Sequence, residues 1–236
     1  MRKAGRIAAL ALAEVESHIK IGVSTKDLDK IAQSVILKNK AESSFKKVKG
    51  YKHCICTTPN DWVVHGVPGN YKLKKGDVIG IDLGAFYKGY HSDLAHTYIV
   101  GGEDRDKKKF LGVGEKALWR AISKAKIGNR IGDISSEIQN TVERAGYSVV
   151  KELVGHGVGK ELHEDPLVPG IGKRGTGLEI KEGMVLAIEI IYNMGKPDVS
   201  LLSDNWTIIS KDNSYSGLFE RTVAVTRKGP VVLTQT

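Results

Sequence analysis

Apolar residues recur at helical spacing at the start of the chain and again in two later stretches. The first run, at positions 7–13, continues through Val15 to His18 with polar residues between, as in an amphipathic helix. The basic start and the short apolar run also resemble a signal peptide, but the run is at the lower limit of length for export. The continued spacing favours an ordinary first helix.

The two later helical stretches are related to each other. Segments 20–33 and 126–139 share the motif KIG and then an aspartate and a glutamine at the same spacing, with an offset of 106 residues. Both have the apolar spacing of an amphipathic helix. Such a match indicates an internal repeat, and repeats are a sign of duplicated structural units.

A second repeat predicts strands. Segment 74–82 (KKGDVIGID) matches segment 181–189 (KEGMVLAIE), and each is a charged turn followed by a dense apolar run that ends on a carboxylate. A His-x-x-Pro motif precedes each segment, and a carboxylate before a strand that begins with threonine follows each. Because the repeated helical and strand segments come in the same order twice, they predict an α+β protein of two pseudo-symmetric halves, roughly 1–105 and 106–236. A short polar turn at 101–106 joins them, which favours one fused domain over 1–236 with a shared sheet and a cleft between the halves.

Composition limits the class of protein further. The 236 residues are 41% hydrophobic and 27% charged, and no apolar run is long enough to span a bilayer. Cys54 and Cys56 are too close for a disulfide framework, which suits a reducing compartment and predicts a cytoplasmic location. The formal charge of +9 comes from scattered lysines, so a solvated surface explains most of it. A contact with the ribosome surface is a further hypothesis for this charge.

Four carboxylates fall where an interior is expected to be apolar. Asp82 and Glu189 end or interrupt apolar runs, while Asp93 and Glu220 precede strands. Folding the chain about Lys88 places Asp82 and Asp93 nearly opposite each other on adjacent strands. Like charges in a dry cleft destabilise each other, and two divalent cations would neutralise four carboxylates. His156 between two glycines offers a fifth ligand. Each residue alone has an ordinary structural explanation, but the set indicates a two-metal site.

Motifs along nearly the whole chain resemble the pita-bread metallopeptidase family, and within it the type I methionine aminopeptidases. They are PNDWVVHGVP at 59–68, GYHSD at 89–93, GHGVG at 155–159, HEDP at 163–166 and WTIISKD at 206–212. The resemblance implies a curved, mostly antiparallel sheet with helices on its outer face. The 30 residues between Glu189 and Glu220 leave no room for the helical insertion of the type II enzymes.

The resemblance also implies the site and its chemistry. Two divalent ions (Co, Mn, Fe or Zn) would be held by five ligands, namely Asp82, Asp93, His156, Glu189 and Glu220. His65 and His163 would flank the scissile peptide, with Glu189 as the proton carrier. A methionine pocket would be lined by Phe45, Tyr51, Cys56, Leu162, Ile191 and Trp206. The implied activity is removal of the initiator methionine from nascent polypeptides, with a small second residue preferred, by a monomer without a specific nucleic-acid partner.

Two alternatives stay open at this point. A proline-type dipeptidase or aminopeptidase of the same fold is favoured by Gly84 and by Ile190, which stand where the family usually has threonine and proline. A third departure is Arg221, where histidine is more common. A non-catalytic pita-bread binding module is favoured by the basic charge. Against the module stands the retention of a costly cluster of carboxylates, which binding alone does not require.

Overall fold

A computed structural model describes residues 1–102 and 104–236 of the chain. The α-helices in these ranges are α1 Arg2–Ser17, α2 Thr25–Lys38, α3 Arg105–Ile122 and α4 Ile131–Glu143. The amphipathic helices that the sequence predicts are therefore confirmed, with α2 and α4 as the repeated pair. Side-chain caps fix two of the starts: Ser24 accepts a hydrogen bond from the Asp27 backbone N–H at the start of α2, and Asp104 does the same for the first turn of α3.

Fourteen short or long strands lie in the described ranges. They are β1 Glu42–Ser43, β2 Ile55–Pro59, β3 Trp62–Val64, β4 Val78–Leu83, β5 Ala85–Phe86, β6 Leu94–Ile99, β7 Ser148–Val149, β8 Val154–Gly157, β9 Glu164–Pro169, β10 Val185–Asn193, β11 Val199–Leu201, β12 Ile208–Ser210, β13 Ser216–Thr226 and β14 Gly229–Val232. The main sheet has the order β2-β4-β6-β13-β10-β8-β9, with β14 beside β13 and β7 beside β10. Its paired strands are antiparallel, as the sequence predicts.

Each half of the sheet has its own helices and its own core. The cluster around Ile7, Leu28 and Ile81 joins α1 and α2 to strands of the first half. The cluster around Ile134 and Ile188 joins α3 and α4 to strands of the second half. Two helices therefore cover each half of one shared sheet, and the predicted α+β, pita-bread architecture with pseudo-symmetric halves is confirmed.

The two halves meet where β6 pairs with β13, and we call this junction the seam. Threonine side chains take the place of backbone partners there. The Thr97 hydroxyl donates to the Leu218 carbonyl (2.8 Å) and accepts from the Leu218 N–H (2.9 Å). The Thr222 hydroxyl donates to the Asp93 carbonyl (2.7 Å) and accepts from the Asp93 N–H (2.9 Å). Each half thus supplies one threonine to the strand of the other half.

The hairpin that carries Asp82 has a register that differs from the predicted one. Lys88 and Gly89 both have positive φ and form a two-residue turn, so that the partner of Asp82 in β6 is Ala95. Asp93 lies two residues before Ala95 and is a diagonal neighbour of Asp82, not the nearly opposite residue. Because side chains alternate along a strand, a shift of two keeps Asp93 on the same side of the sheet as Asp82.

The helices of the described ranges include none that is long and apolar enough to cross a bilayer. The predicted polar turn at 101–106 includes Glu103, which lies outside the described residues. The extent of a single domain over 1–236 and its division at residue 105 stay predictions.

Candidate metal centre and cleft

A cavity of about 220 Å³ opens between the two halves on one face of the main sheet. Every one of the thirteen site residues predicted from the sequence lines this cavity. They are Phe45, Tyr51, Cys56, His65, Asp82, Asp93, His156, Leu162, His163, Glu189, Ile191, Trp206 and Glu220. The structure therefore brings together residues that are up to 175 positions apart, from Phe45 to Glu220.

Strands of both halves carry the five predicted ligands into this cavity. Asp82 lies near the end of β4 and Asp93 comes directly before β6. In the second half, His156 lies on β8, and Glu189 on β10 is the direct cross-strand partner of Glu220 on β13. Directly opposed carboxylates destabilise a sheet unless a cation lies between them.

Three of the five predicted ligands have the spacing of a group that could hold a metal ion. One donor atom from each of Asp93, His156 and Glu220 lies within 4.8 Å of the other two, and all three residues are buried. The His156 Nε2 atom is 4.0 Å from the Asp93 carboxylate. Asp82 and Glu189 line the same cavity beside this group.

The electrostatics of these carboxylates indicate that a positive partner belongs among them. Burial, followed by repulsion from neighbouring carboxylates, raises the pKa values of Asp82, Asp93 and Glu220 well above their usual range. Burial also raises the pKa of Glu189 to about 7. One oxygen each of Asp82, Asp93 and Glu220 is buried and has no hydrogen-bond partner among the described residues. Buried polar atoms are normally satisfied, so these oxygens fit metal ligation.

His156 is prepared to act as a neutral ligand. Its Nδ1 atom lies 2.8 Å from the Gly157 carbonyl, which can only accept, so Nδ1 carries the proton and Nε2 keeps a free lone pair. Burial lowers the pKa of His156 to about 4, which leaves the ring uncharged at neutral pH. A Cβ atom on Gly155 or Gly157 would collide with the carbonyl oxygen of Ala187 or Asp165. The two glycines thus let β8 approach its neighbouring strands closely.

The two predicted catalytic histidines lie at the mouth of the cavity. His65 follows β3 with a positive φ of 57°, and His163 lies in the loop before β9. Both residues are exposed at the rim. The ring of His163 contacts that of His156 with a centroid distance of 4.5 Å, which places it beside the carboxylate cluster. Desolvation lowers the pKa values of both rings, and a charge on His163 would lower that of His65 further.

Next to the carboxylates the cavity becomes apolar. Phe45, Tyr51, Cys56 and Leu162 form one buried cluster, against which Trp206 packs. The Tyr51 ring makes edge contacts with Phe45 (6.4 Å) and Trp206 (5.0 Å). Burial raises the pKa of the Cys56 thiol well above its usual range, so the sulfur remains a neutral, polarizable wall. Ile191 lines the cavity from a different core cluster.

Sequence reasoning missed four apolar residues of the cavity wall, which are Val48, Val64, Leu153 and Val154. Val48 is three residues before Tyr51, and Val64 is next to His65. Valine and leucine at these positions give the same signal as core packing, so only their neighbours in the sequence could have pointed to them.

Comparisons with known proteins identify the family of this chain. The model of Metallopeptidase family M24 matches residues 1–227. The chain belongs to this family of metallopeptidases.

Within this family, the chain is similar to methionine aminopeptidases. Methionine aminopeptidase 1 of Bacillus subtilis is 48% identical over 235 residues, covering 100% of this chain and 95% of the relative. The crystal structure of methionine aminopeptidase from Thermotoga maritima has a TM-score of 0.98 at 41% identity, covering 100% of this chain and 95% of that one. Prolidase from Pyrococcus furiosus has a TM-score of 0.81 at 26% identity, and 62% of it is covered by 100% of this chain.

Proposed function

We propose that this chain is an aminopeptidase that removes the initiator methionine from newly made polypeptides and prefers a small second residue. The observation that carries the proposal is the arrangement of the cavity, in which a buried cluster of carboxylates and His156 adjoins an apolar pocket with aromatic and sulfur-containing walls. Polypeptide N-termini are the substrates that fit a cleft with one closed apolar end. The relatives named methionine aminopeptidase support this choice.

Two divalent ions fit the donor set. Asp82, Asp93, His156, Glu189 and Glu220 would hold them, since four carboxylates balance four positive charges and three carboxylate oxygens lack other partners. When bound, such ions supply Lewis acidity that activates water near neutral pH. Oxygen and imidazole donors accept Co, Mn, Fe or Zn.

The protein groups have separate roles in the proposed reaction. The Glu189 carboxylate takes a proton from the attacking water and returns it to the leaving amine. His163 donates a hydrogen bond to the oxygen that becomes negative when the first peptide carbonyl is attacked. His65, on the other side of the mouth, holds the peptide. The rim position of both histidines supports these roles, because the scissile bond must lie between the pocket and the outside.

The apolar end of the cavity binds the methionine side chain in this proposal. Aromatic edges and a neutral thiol give a polarizable surface that suits a thioether. Phe45, Tyr51 and Trp206 supply the edges, and Cys56 supplies the sulfur. Leu162 and Ile191 complete the wall. A large second residue would then meet the histidines at the rim, so a small one is preferred.

Other expectations accompany this proposal. The catalytic unit would extend over 1–236, with halves divided near residue 105. The protein would act as a monomer in the cytoplasm, and part of its +9 charge would face the ribosome surface. The proline-type peptidase is less well supported, because the methionine aminopeptidases match at higher identity and over more of their length than the prolidase. The binding module is less well supported because binding alone does not require the buried cluster of carboxylates.

Hydrolysis of Met-Ala-Ser by metal-free protein titrated with Mn²⁺ or Co²⁺ tests the proposal. We expect activity that depends on added metal, with little cleavage of Ala-Pro. His65→Ala and His163→Ala should each lower kcat/KM by roughly 100-fold or more while metal binding stays intact. His18→Ala, which removes a half-buried histidine directly after α1, is the matched control and should keep wild-type activity.

Two results would contradict the proposal. Preferential cleavage of Ala-Pro would identify a proline-type peptidase, and no cleavage of either peptide at saturating metal would favour the binding module. Loss of bound metal in His65→Ala or His163→Ala would show that the altered histidine is a ligand and not a catalytic group.

A further inference from the structure

A buried carboxylate outside the metal centre connects helix α2 to the wall of the apolar pocket. Asp29 is only 8% exposed, and its Oδ1 atom accepts hydrogen bonds from the backbone N–H groups of Cys54 (2.6 Å) and Ile55 (3.1 Å). Its other oxygen lies 3.4 Å from Nδ1 of His53. Both oxygens of one helix side chain are thus directed at the segment that leads into β2.

That segment holds two residues of the pocket wall. Cys56 follows directly on the two backbone groups that Asp29 binds. The Tyr51 hydroxyl donates to the Ile55 carbonyl (2.8 Å), and the His53 ring packs against the Tyr51 ring with a centroid distance of 5.7 Å. Asp29 therefore fixes the backbone at one end of the segment and, through His53, supports the aromatic wall at the other.

The second half of the fold is built without an aspartate at the equivalent position. The offset of 106 residues that relates α2 to α4 places Ser135 at the equivalent position. Ser135 is 1% exposed, and its hydroxyl donates to the Ile131 carbonyl one turn earlier in its own helix (3.2 Å). A buried residue on the equivalent helix is thus satisfied within that helix. In the first half, which supplies Tyr51 and Cys56 to the pocket, the residue at this position reaches out to the segment that carries them.

We infer that Asp29 and His53 are positioning residues that set the selectivity of the pocket for the methionine side chain. The inference rests on the proposed function, because it assigns the pocket to that side chain. Neither residue lines the cavity, so both act through the placement of Tyr51 and Cys56. A wall that shifts by a fraction of an ångström loses the contacts that distinguish one apolar side chain from another.

Asp29→Ser, which copies the residue of the other half, tests this inference, with Asp29→Asn as a second variant that preserves the size of the side chain. Steady-state kinetics would compare Met-Ala-Ser, norleucine-Ala-Ser and Leu-Ala-Ser in metal-loaded enzyme. In Asp29→Ser we expect KM for Met-Ala-Ser to rise roughly tenfold with kcat nearly unchanged, because two backbone donors lose their acceptor. Asp29→Asn keeps an oxygen acceptor but loses the charge beside His53, so its effect should have the same direction and be smaller. The ratio of kcat/KM for methionine over leucine should fall by a similar factor.

Asp77→Ser is the matched control. Asp77 is also 8% exposed and in the first half, and its carboxylate accepts from the Lys74 N–H (2.8 Å) and the Tyr71 hydroxyl (2.8 Å). The substitution Asp77→Ser therefore removes an equally buried aspartate that does not contact residues 51–56. Asp77→Ser should lower the melting temperature about as much as Asp29→Ser and keep the wild-type ratio of methionine over leucine.

The outcomes separate this inference from the proposed function. If wild-type protein cleaves Met-Ala-Ser but both Asp29 variants keep the wild-type ratio, the inference is wrong and the proposed function stands. The inference also fails if Asp77→Ser changes the ratio as much as Asp29→Ser does. If wild-type protein does not cleave Met-Ala-Ser at saturating metal, the proposed function and the inference fall together.

Discussion

His96 is a half-buried histidine on the side of the sheet opposite to the metal centre. Its ring packs against those of Tyr98 (4.8 Å) and Phe219 (4.9 Å), and its Nδ1 atom has no hydrogen-bond partner among the described residues. Burial, followed by repulsion from Arg221, lowers the pKa of His96 to about 4 from an ordinary 6.5. A neutral ring is therefore part of the folded state.

This shift makes the stability of the protein depend on pH. The pKa of His96 is lower in the folded state than in the unfolded chain, so the unfolded chain binds the proton first as the pH falls below 6.5. The free energy of unfolding therefore falls between about pH 6.5 and pH 4. The loss is at most about 3 kcal/mol. His96→Phe, which retains an aromatic ring, should therefore unfold with a weaker pH dependence in this window than the wild type. Urea unfolding at several pH values measures it, and parallel curves for the two proteins would contradict it.

At the scale of residues, the sequence was sufficient to predict the side chains that carry the chemistry. It was not sufficient to predict the residues that support those side chains. All thirteen predicted site residues line one cavity. The four carboxylates and His156 could be recognised because such residues beside apolar strands are unusual, whereas His65, His163 and the pocket residues were implied by the resemblance to the pita-bread metallopeptidases. Val154 and Asp29 carry no such signal. A valine in a cavity wall resembles a core valine, and an aspartate on an amphipathic helix resembles a surface residue until the partner segment is known.

The two glycines of strand β8 set the position of its predicted metal ligand, His156. His156 lies between two glycines, and the carbonyl oxygens of Ala187 and Asp165 occupy the space that a Cβ atom on either glycine would need. β8 pairs with β10 on one side and with β9 on the other. The position of the imidazole is therefore set by how closely the three strands approach each other.

Gly157→Ala should separate these strands and displace His156. We expect a loss of about 1–3 kcal/mol in the free energy of unfolding from overpacking. Metal affinity should fall roughly tenfold or more, because the ligand loses its orientation. Gly112→Ala on the exposed face of α3 is the control, since nothing lies within 4 Å of its new Cβ atom. Calorimetric metal titration and urea unfolding measure both effects. Unchanged metal affinity in Gly157→Ala would show that β8 does not set the ligand position.

The β4–β6 hairpin shows what remained out of reach at the scale of elements. Gly89 indicated a turn, but the register depends on Lys88 also taking a positive φ of 49°. A positive φ is uncommon for a lysine and could not be predicted from the sequence. The turn therefore has its centre between these two residues and not on Lys88. A small change in the centre of a turn moves every cross-strand partner along the hairpin.

For the whole molecule, metal binding and protonation compete for the same buried oxygens. The raised pKa values of Asp82, Asp93, Glu189 and Glu220 mean that the folded metal-free protein still holds protons at pH values where the unfolded chain, with ordinary carboxyl pKa values of 3.8 to 4.5, has already released them. The metal-free protein therefore loses stability as the pH rises through these pKa values. A divalent ion replaces the protons and removes this loss.

The increase in melting temperature on adding Mn²⁺ should consequently grow from pH 6 to pH 8. At metal concentrations near 100 times Kd, binding contributes about 2.7 kcal/mol, or about 5–10 °C for a chain of this size. Scanning calorimetry with and without metal measures the increase, and Glu220→Ala should abolish most of it. An increase that shrinks with rising pH would contradict the assignment of these carboxylates as ligands.

The sequence repeats predicted two halves and a shared sheet, but they did not predict how the halves join. Thr97 and Thr222 appeared only as the first residues of apolar strands. Their hydroxyl groups complete the backbone pairing between β6 and β13, a role that depends on the angle at which the two halves meet. The spacing of apolar residues within one half gives no information about that angle.

The seam has a consequence for how the protein folds. Its threonine contacts join residues that are 121 and 129 positions apart, so they form only after a large loop has closed. Until then β6 is an open edge that can recruit a strand from another chain. Since Asp93 and Glu220 lie at this junction, a chain that emerges during synthesis has no complete centre before β13 appears, and ion uptake belongs to the last stage of folding.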